Sequence, residues 1–139
     1  MQFSKLAQLL SFVAASSAIN VSYDTGYDDG SRSLTAVSCS DGQYGLITRY
    51  GWQTQGQIPT TYIGGADTIP GWNSPNCGTC YELTWNGKSI NVLAIDHAAN
   101  GFNIALDALN ALTNGQAVAL GHVDATSRVV EGTACGLPA

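Results

Sequence analysis

Asp96 is the carboxylate of this 139-residue chain best placed for chemistry. It stands with His97 where a run of strand character must end, and side chains at a strand exit reach solvent and ligands. Hydrolysis of a glycosidic bond would need a second carboxylate, one acting as general acid and the other as base or nucleophile at a defined separation. Asp24, Asp28, Asp29 and Asp41 are the candidates, and sequence places none of them opposite Asp96. A lone acid can hydrogen-bond sugar hydroxyls and disturb packed chains without completing a hydrolytic cycle. Two other motifs carry the letters of chemistry. Cys77-Gly-Thr-Cys80 has redox or zinc spacing. A thioredoxin-like centre wants a helix after its first cysteine, however, and the following residues read as strand. A zinc site wants two further ligands at finger-like spacing, and only His97 and His122 are available. Asp24-Thr25-Gly26 spells an aspartic-protease loop, but it occurs once and lacks the usual Ser or Thr after the glycine, so it reads as an Asp-rich turn.

The elements that must position Asp96 lie between Gly71 and Asn103. A turn-rich loop holds Trp72, Pro75, Cys77 and Cys80. Tyr81 to Trp85 and Ser89 to Ile95 then alternate around Asn86-Gly87, the strongest short-range signal of a hairpin. Beyond a Gly-containing loop, Ile104 to Leu112 reads as the principal helix. Leu106, Leu109 and Leu112 share a face, Asn103 is placed to cap its start, and Gly115 closes it. Leu34 to Ser38 and Leu46 to Tyr50 read as strands, as do Ala117 to Leu120, His122 to Ala125 and Arg128 to Glu131. Gln53 to Pro70 reads as a long loop with a short strand at Tyr62-Ile63, and long loops in compact domains usually bind something. Tyr50, Trp52, Tyr62 and Trp72 cluster around it, as sugar-stacking platforms or as buried anchors.

The first residues do not belong to the fold. Lys5 precedes an apolar run, Leu6 to Ala15, and Ser16-Ser17-Ala18 supplies the small residues of a cleavage site, so residues 1–18 read as a secretory signal peptide. Residues 19–139 then form one secreted domain of 121 residues. Without Lys5 it carries four basic and ten acidic side chains, a balance that disfavours nucleic acid and anionic membranes. No stretch is apolar enough to span a bilayer. Charged residues are 11% of the chain, while small neutral-polar residues are abundant, a surface suited to sugars or interfaces. Asn20-Val21-Ser22 is a glycosylation sequon at the new terminus. The four cysteines, Cys39, Cys77, Cys80 and Cys135, read as two disulfides in a secreted chain. Three connectivities are open. A Cys77–Cys80 bond would close a very small ring, whereas Cys39–Cys77 with Cys80–Cys135 would tie both chain ends to the central loop.

A Gly-rich secreted domain of six or more strands, one helix and two disulfides suggests a small β-barrel. Four stretches carry a resemblance: VSYDTGYDD at 21–29, CSDG at 39–42, GWNSPNCGTC at 71–80 and LAIDHAANGFNI at 93–104. Together they resemble the cerato-platanin family of secreted fungal proteins over essentially the whole mature chain. The resemblance implies a mainly β fold, the double-psi β-barrel shared with expansin N-terminal domains, and the pairing Cys39–Cys77 with Cys80–Cys135. It also implies a non-catalytic cell-wall protein without metal or cofactor. Such a protein binds chitin-type N-acetylglucosamine oligomers or other wall polysaccharides, loosens them like an expansin, assembles at interfaces, and is perceived by plants as an elicitor through a receptor. The resemblance carries Asp96, Gly101 and Asn103 over as groove residues, with Tyr50, Trp72 and Tyr81 as candidate stacking or wall residues. Two alternatives stand beside this reading: a weak endoglycosidase, and a surface-active signalling protein with incidental sugar affinity.

Overall fold

A computed structural model describes residues 17–139. The expected signal peptide lies outside them except for Ser17 and Ala18. Among the described residues six strands close into a barrel in the order β1-β5-β2-β4-β3-β6. The strands are β1 Ile19–Tyr23, β2 Ile63–Ala66, β3 Cys80–Trp85, β4 Lys88–His97, β5 Phe102–Ile104 and β6 His122–Val130. Three helices accompany them: α1 Leu46–Tyr50, α2 Leu106–Thr113 and α3 Ala117–Leu120. Pairing is antiparallel except for β1 with β5 and β2 with β4. The two parallel pairs fix how the chain crosses itself, and closure leaves no sheet edge for a second chain to extend.

The β3–β4 hairpin forms where the sequence places it. Asn86 and Gly87 both take positive φ, 48° and 77°, and this matches the right-handed twist of the strands they join. Tyr81 and Leu83 pair with Val92 and Ile90, and all four are buried. Val21 of β1, in register with Phe102 and Val123, extends the same apolar layer. Helix α2 packs Ala108, Leu109 and Leu112 into the core. Burial on that scale stabilises the fold by about 2 kcal/mol for each leucine.

Several segments differ from their sequence reading, each for a local reason. Leu46 to Tyr50 is a helix although LITRY is rich in strand formers, because Gly45 starts it and Gly51, in the left-handed region, stops it. Leu34–Ala36 is a 3-10 turn capped by the Ser33 side chain. Ala117–Leu120 is a helical turn ending at Gly121. His122 to Val130 is one continuous strand rather than two. The expected strand at Tyr62-Ile63 lies one residue on, at Ile63–Ala66. Asn103 does not cap α2: it lies within β5, and the helix begins three residues later. The cap comes from far along the chain, as the Asp28 carboxylate accepts the N–H groups of Leu106 at 2.7 Å and Asp107 at 2.9 Å. A carboxylate there also meets the positive end of the helix dipole.

The disulfides are Cys39–Cys77 and Cys80–Cys135, spanning 38 and 55 residues. All four cysteines are therefore oxidised partners in structural bonds, and Cys77 and Cys80 belong to different bridges. Loops of that size restrict the unfolded chain by about 4 kcal/mol each. Replacing Cys80 and Cys135 with alanine is expected to lower the unfolding free energy by roughly that amount, read by denaturant titration. A loss below about 1 kcal/mol would mean that the unfolded chain is already held compact without the bond.

Candidate functional site

Strand register assembles a polar row on the barrel. Gly65 of β2 is the partner of both Asp96 on β4 and Asn103 on β5, and Asn103 pairs in turn with Ser22 on β1. Gly65 has no side chain because none fits: a Cβ there would stand 2.6 Å from the His97 carbonyl oxygen. Asn103 is half-buried, and its Oδ1 accepts the Ser22 hydroxyl at 3.0 Å. Beside this row lies an open groove of about 370 Å³, lined by Asn20, Ser22, His97, Asn103 and the loop Ala98–Asn100. The lining is neutral-polar, with amides and a hydroxyl that both donate and accept. His97 Nδ1 lies 2.7 Å from the Ile69 carbonyl oxygen. A carbonyl only accepts, so Nδ1 carries a proton and this bond fixes the ring's orientation.

Asp96 is not part of that lining. Its Oδ2 accepts the Tyr27 hydroxyl at 2.8 Å, and its Oδ1 accepts the backbone N–H groups of Ser38 and His97, each at 2.9 Å. The carboxylate thus ties the exit of β4 to the turn at Thr25–Asp28 and to the residue before Cys39. Tyr27 is buried, and its phenol is pushed well above the usual value of 10.0, first by burial and then by its bond to Asp96. On β6, Asp124 pairs with Asn20 and His122 with Ser22, so these two residues edge the groove.

Gly101 shapes the end of the groove without presenting a side chain. Its φ is +61°, and a Cβ would lie 2.0 Å from the Asn20 carbonyl oxygen. Its N–H donates to the Asp67 carboxylate at 2.9 Å and its carbonyl accepts the Asp67 N–H at 2.8 Å. The aromatic candidates lie outside the groove lining. Tyr50 stacks on Trp52 at 4.4 Å and receives an Arg49 N–H on its hydroxyl at 3.0 Å. Tyr81 is 6% exposed, set edge-on to Phe102 at 5.0 Å, and its hydroxyl pairs with Thr68 at 2.6 Å. Its ring belongs to the core. Trp72 is 62% exposed and is held by donation from its indole N–H to Asp41 at 2.7 Å, so it alone of the three offers an open face. Sequence reasoning missed Asn20, Ser22, His97 and Asn100 as groove residues. The signals were the strand exit that His97 shares with Asp96, the 93–104 stretch that holds His97 and Asn100, and the sequon, whose Asn20 and Ser22 both line the groove.

The family model described as Cerato-platanin matches residues 19–137. The chain belongs to the cerato-platanin family. It is 49% identical to cerato-platanin 3 from M. perniciosa, whose crystal structure superposes with a TM-score of 0.84, covering 87% of this chain and 100% of that one. The solution structure of the fungal elicitor cerato-platanin is 35% identical with a TM-score of 0.75, covering 84% of this chain and 96% of that one. The heat-stable 19 kDa antigen of Coccidioides immitis is 50% identical over 122 residues, 87% of this chain and 83% of the relative. The closed mixed barrel, its principal helix α2 and its two disulfides are thus the double-psi architecture that the cerato-platanin motifs imply.

The Tyr27–Asp96 bond gives a pH test of the cerato-platanin barrel. Tyr27 in the folded state holds its proton above the usual phenol value, so the unfolded chain releases that proton first as pH rises. Stability from this group is whole below pH ~10 and falls above it by about 1.4 kcal/mol per pH unit. Tyr27→Phe, which keeps the ring, is expected to be less stable at pH 7 by about 1 to 2 kcal/mol and to lose this alkaline slope. Parallel stability–pH curves for the two proteins between pH 9 and 11 would disprove the assignment.

Proposed function

We propose that this protein is secreted and binds chitin-type N-acetylglucosamine oligomers of the cell wall without cleaving them. It loosens packed polysaccharide as expansins do. The observation that carries the reading is the groove, a neutral-polar surface with three asparagines, a serine and a histidine and no carboxylate in its lining. Amide and hydroxyl groups that both donate and accept suit sugar hydroxyls and an acetamide. The engagement of both Asp96 oxygens with Tyr27, Ser38 and His97 supports binding rather than acid–base chemistry. Asp96 and Gly101 then act by fixing the strands around Asn103, and Trp72 offers a separate stacking face for a longer chain. A solved relative is a fungal elicitor, and we extend that role to this chain, with perception by a plant receptor.

NMR titration of the disulfide-intact mature protein with chitin and cellulose oligomers tests the groove. Shifts are expected at Asn20, Ser22, His97, Asn100 and Asn103 with the acetylated sugar. Asn103→Ala should weaken binding about fivefold to tenfold while the protein stays folded, the loss of one hydrogen-bonding side chain. Binding that leaves these resonances unmoved, or that survives Asn103→Ala unchanged, removes the groove from the reading.

A second reading, self-assembly at interfaces, is favoured by the exposed apolar side chains Val118 at 66%, Leu120 at 41% and Val129 at 65%. Val118→Ser with Leu120→Ser is expected to reduce film formation at an air–water interface with groove binding retained. Unaltered surface-pressure curves would count against α3 as the surface-active element.

A further inference from the structure

Asparagine precedes glycine three times in the sequence, at Asn86-Gly87, Asn100-Gly101 and Asn114-Gly115. This dipeptide can modify itself. The glycine nitrogen, as its anion, attacks the carbonyl carbon of the asparagine side chain, and the missing Cβ leaves the approach unobstructed. The new N–C bond closes a cyclic imide, the bond from that carbon to Nδ2 breaks, and ammonia leaves with the proton that the glycine nitrogen gave up. Water then opens the ring at either carbonyl, leaving aspartate or isoaspartate, so water is taken up for the ammonia released. Neither an enzyme nor an oxidant is needed. In a folded chain, the glycine N–H must be free before the reaction can start.

The fold treats the three sites differently. Asn86 and Gly87 are exposed at the tip of the β3–β4 hairpin, the space beside Gly87 is open, and no described residue accepts the Gly87 N–H. The Gly115 N–H donates to the Asn110 carbonyl oxygen at 2.8 Å where α2 ends. Gly101 is buried, and its N–H donates to the Asp67 carboxylate at 2.9 Å. A return bond, from the Asp67 N–H to the Gly101 carbonyl oxygen at 2.8 Å, holds the pair together. The first bond has to open before the Gly101 nitrogen can turn on Asn100. Asp67 also acts through its charge, because a carboxylate beside the nitrogen disfavours the anion that attacks.

We propose that Asn86 is a site of spontaneous deamidation in the folded protein, and that Asp67 protects Asn100 from the same reaction. Asn100 is where protection matters, because it lines the groove. Either product there would put into the lining the carboxylate it lacks, and isoaspartate would also lengthen the backbone of the groove loop. At the hairpin tip the aspartate product is tolerated, since Asp-Gly suits the same turn as Asn-Gly. Asn86 is not among the groove's lining residues. Asp67 thus keeps the groove neutral while the hairpin ages. The inference rests on the surroundings of the three glycine N–H groups, and it holds whether or not the groove binds sugar.

The test incubates the folded, disulfide-intact mature protein in mildly alkaline buffer and follows each asparagine by peptide mass spectrometry, with isoaspartate resolved by its elution. Asn86 is expected to convert at least about tenfold faster than Asn100, the effect of one hydrogen bond to a charged group. In the reduced chain unfolded by denaturant, all three sites should convert at comparable rates, since only the shared dipeptide then counts. Asp67→Ala removes the acceptor and should speed Asn100 about tenfold while Asn114 is unchanged. Asp67→Asn keeps an acceptor without the charge, should speed Asn100 about threefold, and decides the matter if Asp67→Ala does not fold. Native protein in which Asn100 keeps pace with Asn86 would overturn the proposal, as would a deciding Asp67 variant in which Asn100 converts no faster. A rise at Asn100 and Asn114 together would mean a general loosening of the fold and would overturn the role of Asp67.

Discussion

The close approach of three backbones at Gly64 and Gly65 is the constraint on which the barrel depends. β2 must lie parallel to β4 on one side and antiparallel to β5 on the other. A Cβ on Gly64 would come within 2.5 Å of the Asn103 carbonyl oxygen, and one on Gly65 within 2.6 Å of that of His97. Real Cβ contacts do not reach such distances, so any side chain here would push a neighbouring strand out of register. Pairing also slips between these two glycines, and a bulge of this kind re-aims the residues beside it. The slip brings Asp96 beside Gly65 on the β4 side, and the regular β2–β5 register brings Asn103 there on the other. The same feature that closes the barrel therefore sets the polar row.

Asp96 and the disulfides then hold what closure leaves loose. The long segment before β2 has little regular structure beyond α1 and short 3-10 turns, and it is fastened to the barrel by bonds at its cysteine. Ser38 is bonded to Asp96, Cys39 to Cys77, and the Cys39 N–H to the Ile95 carbonyl at 3.1 Å. Ser38 and the Cys39 N–H thus meet the end of β4, where the groove loop begins, and the disulfide adds the loop before β3. A carboxylate accepting two backbone N–H groups and a buried phenol is a stronger fastening than neutral pairs would be. That explains why a residue with the look of a catalytic acid is turned away from the groove. Its charge is needed for the frame.

The hairpin, the principal helix and both bridges were legible because each rests on a local or compositional signal. Asn86-Gly87 demands positive φ, Leu109 and Leu112 keep helical spacing, and the resemblance supplied the pairing of the cysteines. β2 was half-hidden because Ile-Gly-Gly-Ala lacks the side chains that mark a strand, having been selected for space rather than propensity. α1 was misread for the opposite reason: LITRY favours a strand, and only its bracketing glycines reveal the helix. The cap of α2 could not be read at all, since Asp28 lies 78 residues from Leu106. In the candidate site, Asn103 was placed through resemblance, whereas Asn20 and Ser22 reach the groove only through the β1–β5 pairing. Tyr81 shows the limit of residue type as a signal, for its aromatic ring serves the core and not the surface.

The groove's modest size fits the proposed role better than a deep pocket would. A volume of about 370 Å³ is near the lower end for small-molecule sites, and an open surface buries little of a sugar. Single contacts of this kind are weak and release quickly. A polymer offers the same unit repeatedly, however, so a low affinity per unit becomes a useful residence on the chain by rebinding nearby. Tight capture would hold one segment and leave the packed array as it was. A protein that loosens a wall must let go, and a rigid, neutral, shallow groove on a barrel fastened by Asp96 and two disulfides keeps its shape through many such encounters.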